Sequence, residues 1–254
     1  MEEDPKKRFS NRAAYYAKYR PRYPPAILAF MKEELGLSQV SVIADIGSGT
    51  GILSELFLTH SNTVFAVEPN SEMRRTAEKR LSNYPGFRSL NGTAEETTLN
   101  SQSVDFVTAA QAFHWFDPVK TRAEFSRILK QHGWTILVWN IRRNSTPFMQ
   151  EYDRLVSEYA NRPYSRQVTH DKIGTDGLRD FLGDYTAKKF GNTQALDFEG
   201  LAGRLLSSSY VPLAGDSRYN AMLDELRNIF DSNQEGGLVH LEYDTEVYCG
   251  QLSR

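Results

Sequence analysis

The chain holds one cysteine, Cys249, in 254 residues. It can close no intrachain disulfide and build no thiolate metal cluster. The five histidines, at positions 60, 114, 132, 170 and 240, are scattered without ligand-type spacing, so no metal site is expected. Charge of one sign is equally scarce, because 30 basic and 32 acidic residues leave a formal net charge of −2. That balance gives no overall attraction to nucleic acid or to an anionic membrane. No apolar run approaches the roughly 18 residues of a spanning helix. The N-terminus is charged and has no secretory apolar stretch, so a cytoplasmic location is the expectation. Repeats and low-complexity segments are also missing. At 40% hydrophobic and 24% charged, the chain can bury a full core as one domain over residues 1–254.

What is present is concentrated between Val42 and Phe116. Val42 to Ile46 is an apolar run containing Asp45, and glycines follow at alternate positions, Gly47, Gly49 and Gly51, with Ser48 between the first two. Ile52, Leu53, Leu56 and Phe57 then fall at helical spacing. Strand, glycine turn and helix N-terminus form an arrangement that lets backbone approach a nucleotide-like ligand. A dinucleotide fingerprint is G-x-G-x-x-G. Here the third glycine comes one residue early, and Ile52 stands where that pattern wants Gly or Ala. The spacing argues against NAD.

Three further motifs follow in order. Val64 to Val67 reads as a buried parallel strand ending at Glu68-Pro69-Asn70, with a helix from Ser71. A carboxylate there, 17 residues beyond Gly51, can accept from both hydroxyls of a ribose. Gly92-Thr93-Ala94-Glu95-Glu96 follows a strand read at Phe87 to Leu90. The fourth motif, Val104 through Phe116, runs from an apolar strand into Gln111 and the cluster Phe113-His114-Trp115-Phe116. Ligands of open α/β sheets sit at the carboxyl ends of strands. Aromatic faces also attract a cation and exclude water. His114 reads either as a general base or as a packing residue.

These motifs resemble the class I S-adenosylmethionine-dependent methyltransferases, with D-x-G-x-G-x-G as motif I and the next three in sequence. The resemblance covers about half of the chain. The opening segment Phe9 to Pro24, Gly203 to Pro212 and Tyr243 to Tyr248 are similar to a small-molecule branch of that family, UbiE-like and trans-aconitate-methyltransferase-like. It implies an α/β, Rossmann-like fold: a mostly parallel seven-stranded sheet with helices on both faces, a last antiparallel strand and a helical cap. It implies S-adenosyl-L-methionine as cofactor, held by Asp45, Gly47, Ser48, Gly49, Gly51, Glu68 and Pro69. Ala94 and Glu95 would lie at the adenine edge, with Gln111, Tyr19 and Arg20 completing the cofactor contacts. The acceptor would meet Tyr15, Phe113, Trp115 and Phe116, with His114 as the catalytic candidate. One departure is Gln131-His132-Gly133, where Pro-Gly-Gly is common, and a surface turn is expected there.

The remaining segments are an arm and helix over residues 1–40, a cofactor-binding core over 41–142, cap elements over 143–232 and a final strand over 238–254. A strand is expected from Lys188 to Phe198. In the arm, Lys6, Lys7, Arg8, Arg12, Lys18, Arg20 and Arg22 interleave with Phe9, Tyr15, Tyr16, Tyr19 and Tyr23. Such a mixture suits a single-strand-binding surface, or a lid whose Arg holds a carboxylate. The resemblance and the net acidity favour the lid. The lack of an Asn-Pro-Pro-aromatic motif after the fourth strand also counts against nucleic-acid methylation. Three functions compete: methyl transfer to a small molecule, methyl transfer to RNA or protein through the basic arm, and cofactor binding without catalysis.

Overall fold

A computed structural model describes residues 12–161 and 174–252. Phe9, Ser10 and the basic residues 6–8 of the arm lie outside them. Seven strands form one sheet in the order β3-β2-β1-β4-β5-β7-β6. They are β1 (Val42–Ile46), β2 (Thr63–Val67), β3 (Phe87–Leu90), β4 (Val104–Ala110), β5 (Leu129–Arg142), β6 (Tyr185–Leu196) and β7 (Val239–Gly250). The pairs β1–β2, β1–β4, β2–β3 and β4–β5 are parallel. β7 lies antiparallel to both β5 and β6, so it alone runs against the others. The fold is the expected one.

Helices α1 (Ala13–Tyr19) and α2 (Ala26–Leu35) precede the sheet, and between the strands run α3 (Ile52–Leu58), α4 (Ser71–Leu81), α5 (Pro118–Ile128), α6 (Pro147–Tyr159), α7 (Gly174–Leu182), α8 (Phe198–Leu206) and α9 (Tyr219–Asn233). Local chemistry sets their ends. Asn70 caps α4 by accepting from the N–H groups of Glu72 and Met73, both at 3.0 Å. Asp117 and Thr146 cap α5 and α6, each followed by proline at the first helical position. Asp197 accepts from the N–H of Gly200 at 2.8 Å and starts α8. That cap corrects the expected strand: β6 ends at Leu196, and Phe198 is already helical.

Apolar side chains gather in three groups. One lies on the sheet face covered by α5 and α7, with Phe125, Ile128, Phe181 and Leu182. A second lies under α2 and α3, with Ile27, Met31, Leu53 and Phe57. The third joins α6, α8 and α9 through Tyr152, Leu201, Leu205 and Leu226. β7 alternates as a strand with one buried face should. Val239, Leu241 and Tyr243 pack on the third group, and Val247 and Cys249 on the second. One strand therefore ties the helical elements 143–232 to the sheet. Cys249 lies in that core, where burial pushes its thiol up to about 11. The expected turn at Gln131-His132-Gly133 proves to be an irregularity inside β5. Pairing with β4 jumps from Leu129 opposite Val104 to Trp134 opposite Phe106, and His132 adopts φ +64. Among the described residues no helix is long and apolar enough to cross a membrane.

Candidate active site

A cavity of about 420 Å³ opens at the carboxyl ends of β1, β2 and β4. The glycine turn forms its floor. Gly47 and Ser48 donate to the carbonyl of Val67 at 2.9 and 3.2 Å, which fixes the turn over β2. The three glycines do different work. A Cβ on Gly47 would come within 2.7 Å of Ala112 Cβ, and one on Gly51 within 2.5 Å of Leu81 Cδ1. Those two permit close packing, and Gly51 does not line the cavity. Gly49 has φ +57, and a Cβ there would meet no atom within 4 Å. It faces open space in the cavity, which is the cradle a close-lying ligand needs. Ser48 Oγ and Thr50 Oγ1, both buried atoms of lining residues, have no hydrogen-bond partner among the described residues. The turn thus holds polar atoms that a bound ligand would satisfy.

Two buried carboxyls flank the turn. Glu68 accepts from the N–H of Gly49 through Oε2 and from the N–H of Asn70 through Oε1, each at 2.8 Å. Burial raises its pKa, against those two donors and Arg74. Each oxygen keeps further acceptor capacity, and Glu68 lines the cavity. Asp45 is 1% exposed and accepts from Ser54 Oγ at 2.6 Å and from Thr108 Oγ1 at 3.0 Å. Burial lifts its pKa from 3.8 to about 6, with Glu68 adding to the rise and the hydroxyls opposing it. Between those pH values the folded chain holds a proton that the unfolded chain has lost. Stability should therefore fall as pH rises from 3.8 to about 6. The effect is of order 3 kcal/mol. Urea denaturation across that range should show a steeper fall in the native chain than in Asp45→Asn, which keeps only the contribution of the raised Glu68. An equal slope in both would assign the effect elsewhere.

The fourth motif forms the far wall. Gln111 takes φ +55 and donates through Nε2 to the Asn140 carbonyl at 3.2 Å. Phe113–Trp115 form a single 3-10 turn, which sends successive side chains in different directions. His114, Trp115 and Phe116 line the cavity. Phe113, expected to meet the acceptor, does not line it. It is 4% exposed and packs behind the wall, its ring 4.4 Å from that of Phe181 and 6.5 Å from that of Trp139. Pro69, Ala94 and Glu95 line the cavity as well, and Glu95 accepts from the Asp117 N–H at 3.0 Å.

The roof differs from the expected lid by one residue of register. Tyr15 and Tyr19 lie one helical turn apart and stack at 5.9 Å, away from the cavity. Tyr19 donates to Glu199 at 2.9 Å and covers Gly203 of α8, where a Cβ would fall 2.3 Å from its ring. Tyr16 and Arg20 form the neighbouring pair, and these line the cavity together with Tyr23. The Arg20 guanidinium lies 4.8 Å from the Tyr16 ring centroid and donates to the Ser207 carbonyl at 3.0 Å. Sequence reasoning named Arg20 and missed Tyr16, although the four-residue spacing that puts both on one face was legible. It also missed Ser209 and Tyr210, which the cap contributes to the wall.

An open α/β sheet with a glycine turn, a carboxylate ending β2 and an aromatic wall after β4 defines an enzyme that binds a nucleoside-type cofactor. Residues 44–137 match the family described as a methyltransferase domain. An uncharacterised methyltransferase-like protein of Schizosaccharomyces pombe is 31% identical over 253 residues, covering 96% of this chain and 95% of its own. An uncharacterised methyltransferase of the same yeast is 27% identical over 248 residues, 96% of each chain. The solved structure of a proposed type II methyltransferase from Anaeromyxobacter dehalogenans superposes with a TM-score of 0.68 at 22% identity, covering 92% of this chain and 98% of its own. The chain belongs to the class I S-adenosylmethionine-dependent methyltransferases, and S-adenosylmethionine is its cofactor.

Proposed function

We propose that the chain transfers the methyl group to a small molecule enclosed between the aromatic wall, the arm and the cap. The observation that carries this reading is where the arm's described basic residues, Arg12, Lys18, Arg20 and Arg22, go. Arg12 is buried and donates to the carbonyls of Leu206, Ser208 and Val211. Lys18 pairs with Glu199, Arg22 pairs with Glu55, and Arg20 turns into the cavity. Arg12 and Arg20 are turned inward, and Lys18 and Arg22, though exposed, are each paired with a carboxylate, so these four cations form no free basic track for a phosphate backbone. A cavity of about 420 Å³ also lies in the range of small-ligand sites.

In this reading Glu68 would accept from the ribose hydroxyls, and Ala94 and Glu95 would border the adenine. Gly47, Ser48 and Gly49 would run beside the methionine part, with Asp45 toward its ammonium and Arg20 toward its carboxylate. The cofactor brings an already activated methyl on a sulfonium. What remains for the chain is to align the acceptor in line with the S–CH3 bond and to exclude water. Trp115 and Phe116 supply the apolar wall for that, and Tyr16 and Tyr23 the roof. Glu68→Ala removes a charge-assisted acceptor worth about 1.5–3 kcal/mol. Cofactor affinity should fall roughly ten- to a hundredfold by calorimetry, and normal binding would refute the ribose contact.

His114 lines the cavity with its ring 4.8 Å from that of Trp115. If it takes a proton from the acceptor, His114→Ala lowers turnover at least about a hundredfold with cofactor affinity nearly unchanged. A loss of only a few-fold returns it to packing. A metabolite extract incubated with labelled methyl donor tests the reading as a whole. A labelled small molecule supports it. Label confined to RNA or protein, together with RNA binding that weakens steeply with salt, overturns it.

A further inference from the structure

We propose that Asn192 and Gln194, two side chains of β6 that do not line the cavity, are positioning residues that set Arg20 for the cofactor's carboxylate. The proposal rests on the reading of Arg20 given above. α1 ends at Tyr19, because Arg20 precedes Pro21 and is held extended at φ −69 and ψ 145. The last carbonyls of a helix need partners from outside it. The Tyr19 carbonyl accepts from Gln194 Nε2 at 2.8 Å. The Arg22 carbonyl accepts from Asn192 Nδ2 at 2.7 Å. Residues two apart on a strand share a face, so both donors come from one side of β6. Arg20 stands between the two bonded carbonyls. Its backbone is thus clamped on either side while it lines the cavity.

The clamp matters because Arg20 has no substitute. Among the described residues it is the only arginine or lysine that lines the cavity. Its guanidinium is aimed by one bond to the Ser207 carbonyl and by the Tyr16 ring, and its Nε has no hydrogen-bond partner among the described residues. A guanidinium grips a carboxylate through two parallel bonds in a fixed plane. A backbone shift of about 1 Å therefore breaks the match, even with the side chain intact. A long arm joined to the fold by side chains alone would let that shift happen. Two amides on a sheet strand prevent it.

The seat is also keyed to the opposite wall. Asn192 Nδ2 lies 3.4 Å from Asn140 Oδ1, which accepts from Thr245 Oγ1 at 2.5 Å. The Asn140 carbonyl accepts from Gln111 Nε2 at 3.2 Å, and the Gln111 N–H donates to the Val138 carbonyl at 2.9 Å. Gln111 lines the cavity at φ +55, a conformation that its surroundings must hold in place. Asn140 of β5 is where the arm's seat and the turn after β4 meet. Arg20 and Gln111 are thereby set against one frame from two sides.

The test titrates the full chain by calorimetry with S-adenosylhomocysteine and with 5′-methylthioadenosine, which keeps the nucleoside and sulfur and lacks the carboxylate. Asn192→Ala combined with Gln194→Ala should weaken S-adenosylhomocysteine about tenfold and leave methylthioadenosine within about twofold. Asn192→Asp keeps the size, removes the donor and should show a smaller loss of the same selectivity. Arg20→Ala should weaken S-adenosylhomocysteine too, and adding the β6 pair to it should cost nothing further. That cycle needs only S-adenosylhomocysteine and decides the case alone. Unchanged affinity in the β6 pair, equal loss of both ligands, or a full further loss on top of Arg20→Ala overturns the proposal. If the pair fails to fold, Asn192→Asp alone and combined with Arg20→Ala carries the same cycle. Arg20→Ala without effect on S-adenosylhomocysteine would strike the reading of Arg20 and the proposal with it. A loss in Arg20→Ala but none in the β6 variants would strike the proposal alone.

Discussion

Gly49→Val should abolish cofactor binding and leave the protein folded. Gly49 is the one residue of the three-glycine turn whose Cβ position is open to the cavity. A valine side chain there would occupy the space the cofactor needs. Its cost to the fold is limited to the left-handed backbone, φ +57. That is about 1–2 kcal/mol for a residue with a Cβ, more for a β-branched one. A domain of ordinary stability, roughly 5–15 kcal/mol, survives it. Calorimetry with S-adenosylhomocysteine should show at least about a hundredfold loss, with a melting transition lowered by a few degrees. Gly49→Ala should fall between. Gly47→Val makes the contrast, because its Cβ would meet Ala112 and Phe116 and disturb packing first. Unchanged affinity in Gly49→Val would mean that the turn is not the cofactor cradle.

Deleting residues 1–23 should remove turnover and cofactor retention, and should loosen the cap with them. The arm and the cap are one unit. Arg12 holds three carbonyls between Leu206 and Val211, the Tyr19 ring covers Gly203, and Gln194 Nε2 donates to the Tyr19 carbonyl at 2.8 Å. Without the arm, several buried carbonyls lose their donors, at about 1–3 kcal/mol each. None of these contacts involves strands β1 to β4, which should keep their protection. Hydrogen exchange should therefore show faster exchange over residues 198–211 and unchanged exchange in the first four strands. Arg12→Ala should reproduce the cap's share of that change. A cap that stays fully protected after the deletion would contradict the coupling.

The sequence made the sheet legible because parallel strands buried on both faces read as apolar runs, and the turns between them carry glycine, proline and capping residues. The carboxylate of Glu68 and the glycine turn were legible for the same reason: local spacing fixes them. The lid was not, since Tyr15, Tyr16, Tyr19 and Tyr23 offer two helical faces. Which face turns inward depends on Gly203, 184 positions beyond Tyr19. Phe113 was misplaced because a 3-10 turn, not the strand, carries it. Ser209 and Tyr210 were invisible as wall residues, because long-range contacts from Arg12, Arg20 and Asn161 bring that loop to the cavity.

The central claim is that the early third glycine, the open face of Gly49 and the carboxylate of Glu68 select S-adenosylmethionine over a dinucleotide. Parallel calorimetric titrations of the native chain with S-adenosylmethionine, S-adenosylhomocysteine and NAD test it most directly. Saturable binding of the first two, with NAD weaker by at least about a hundredfold, is the result expected. NAD binding as tightly as either would contradict the account.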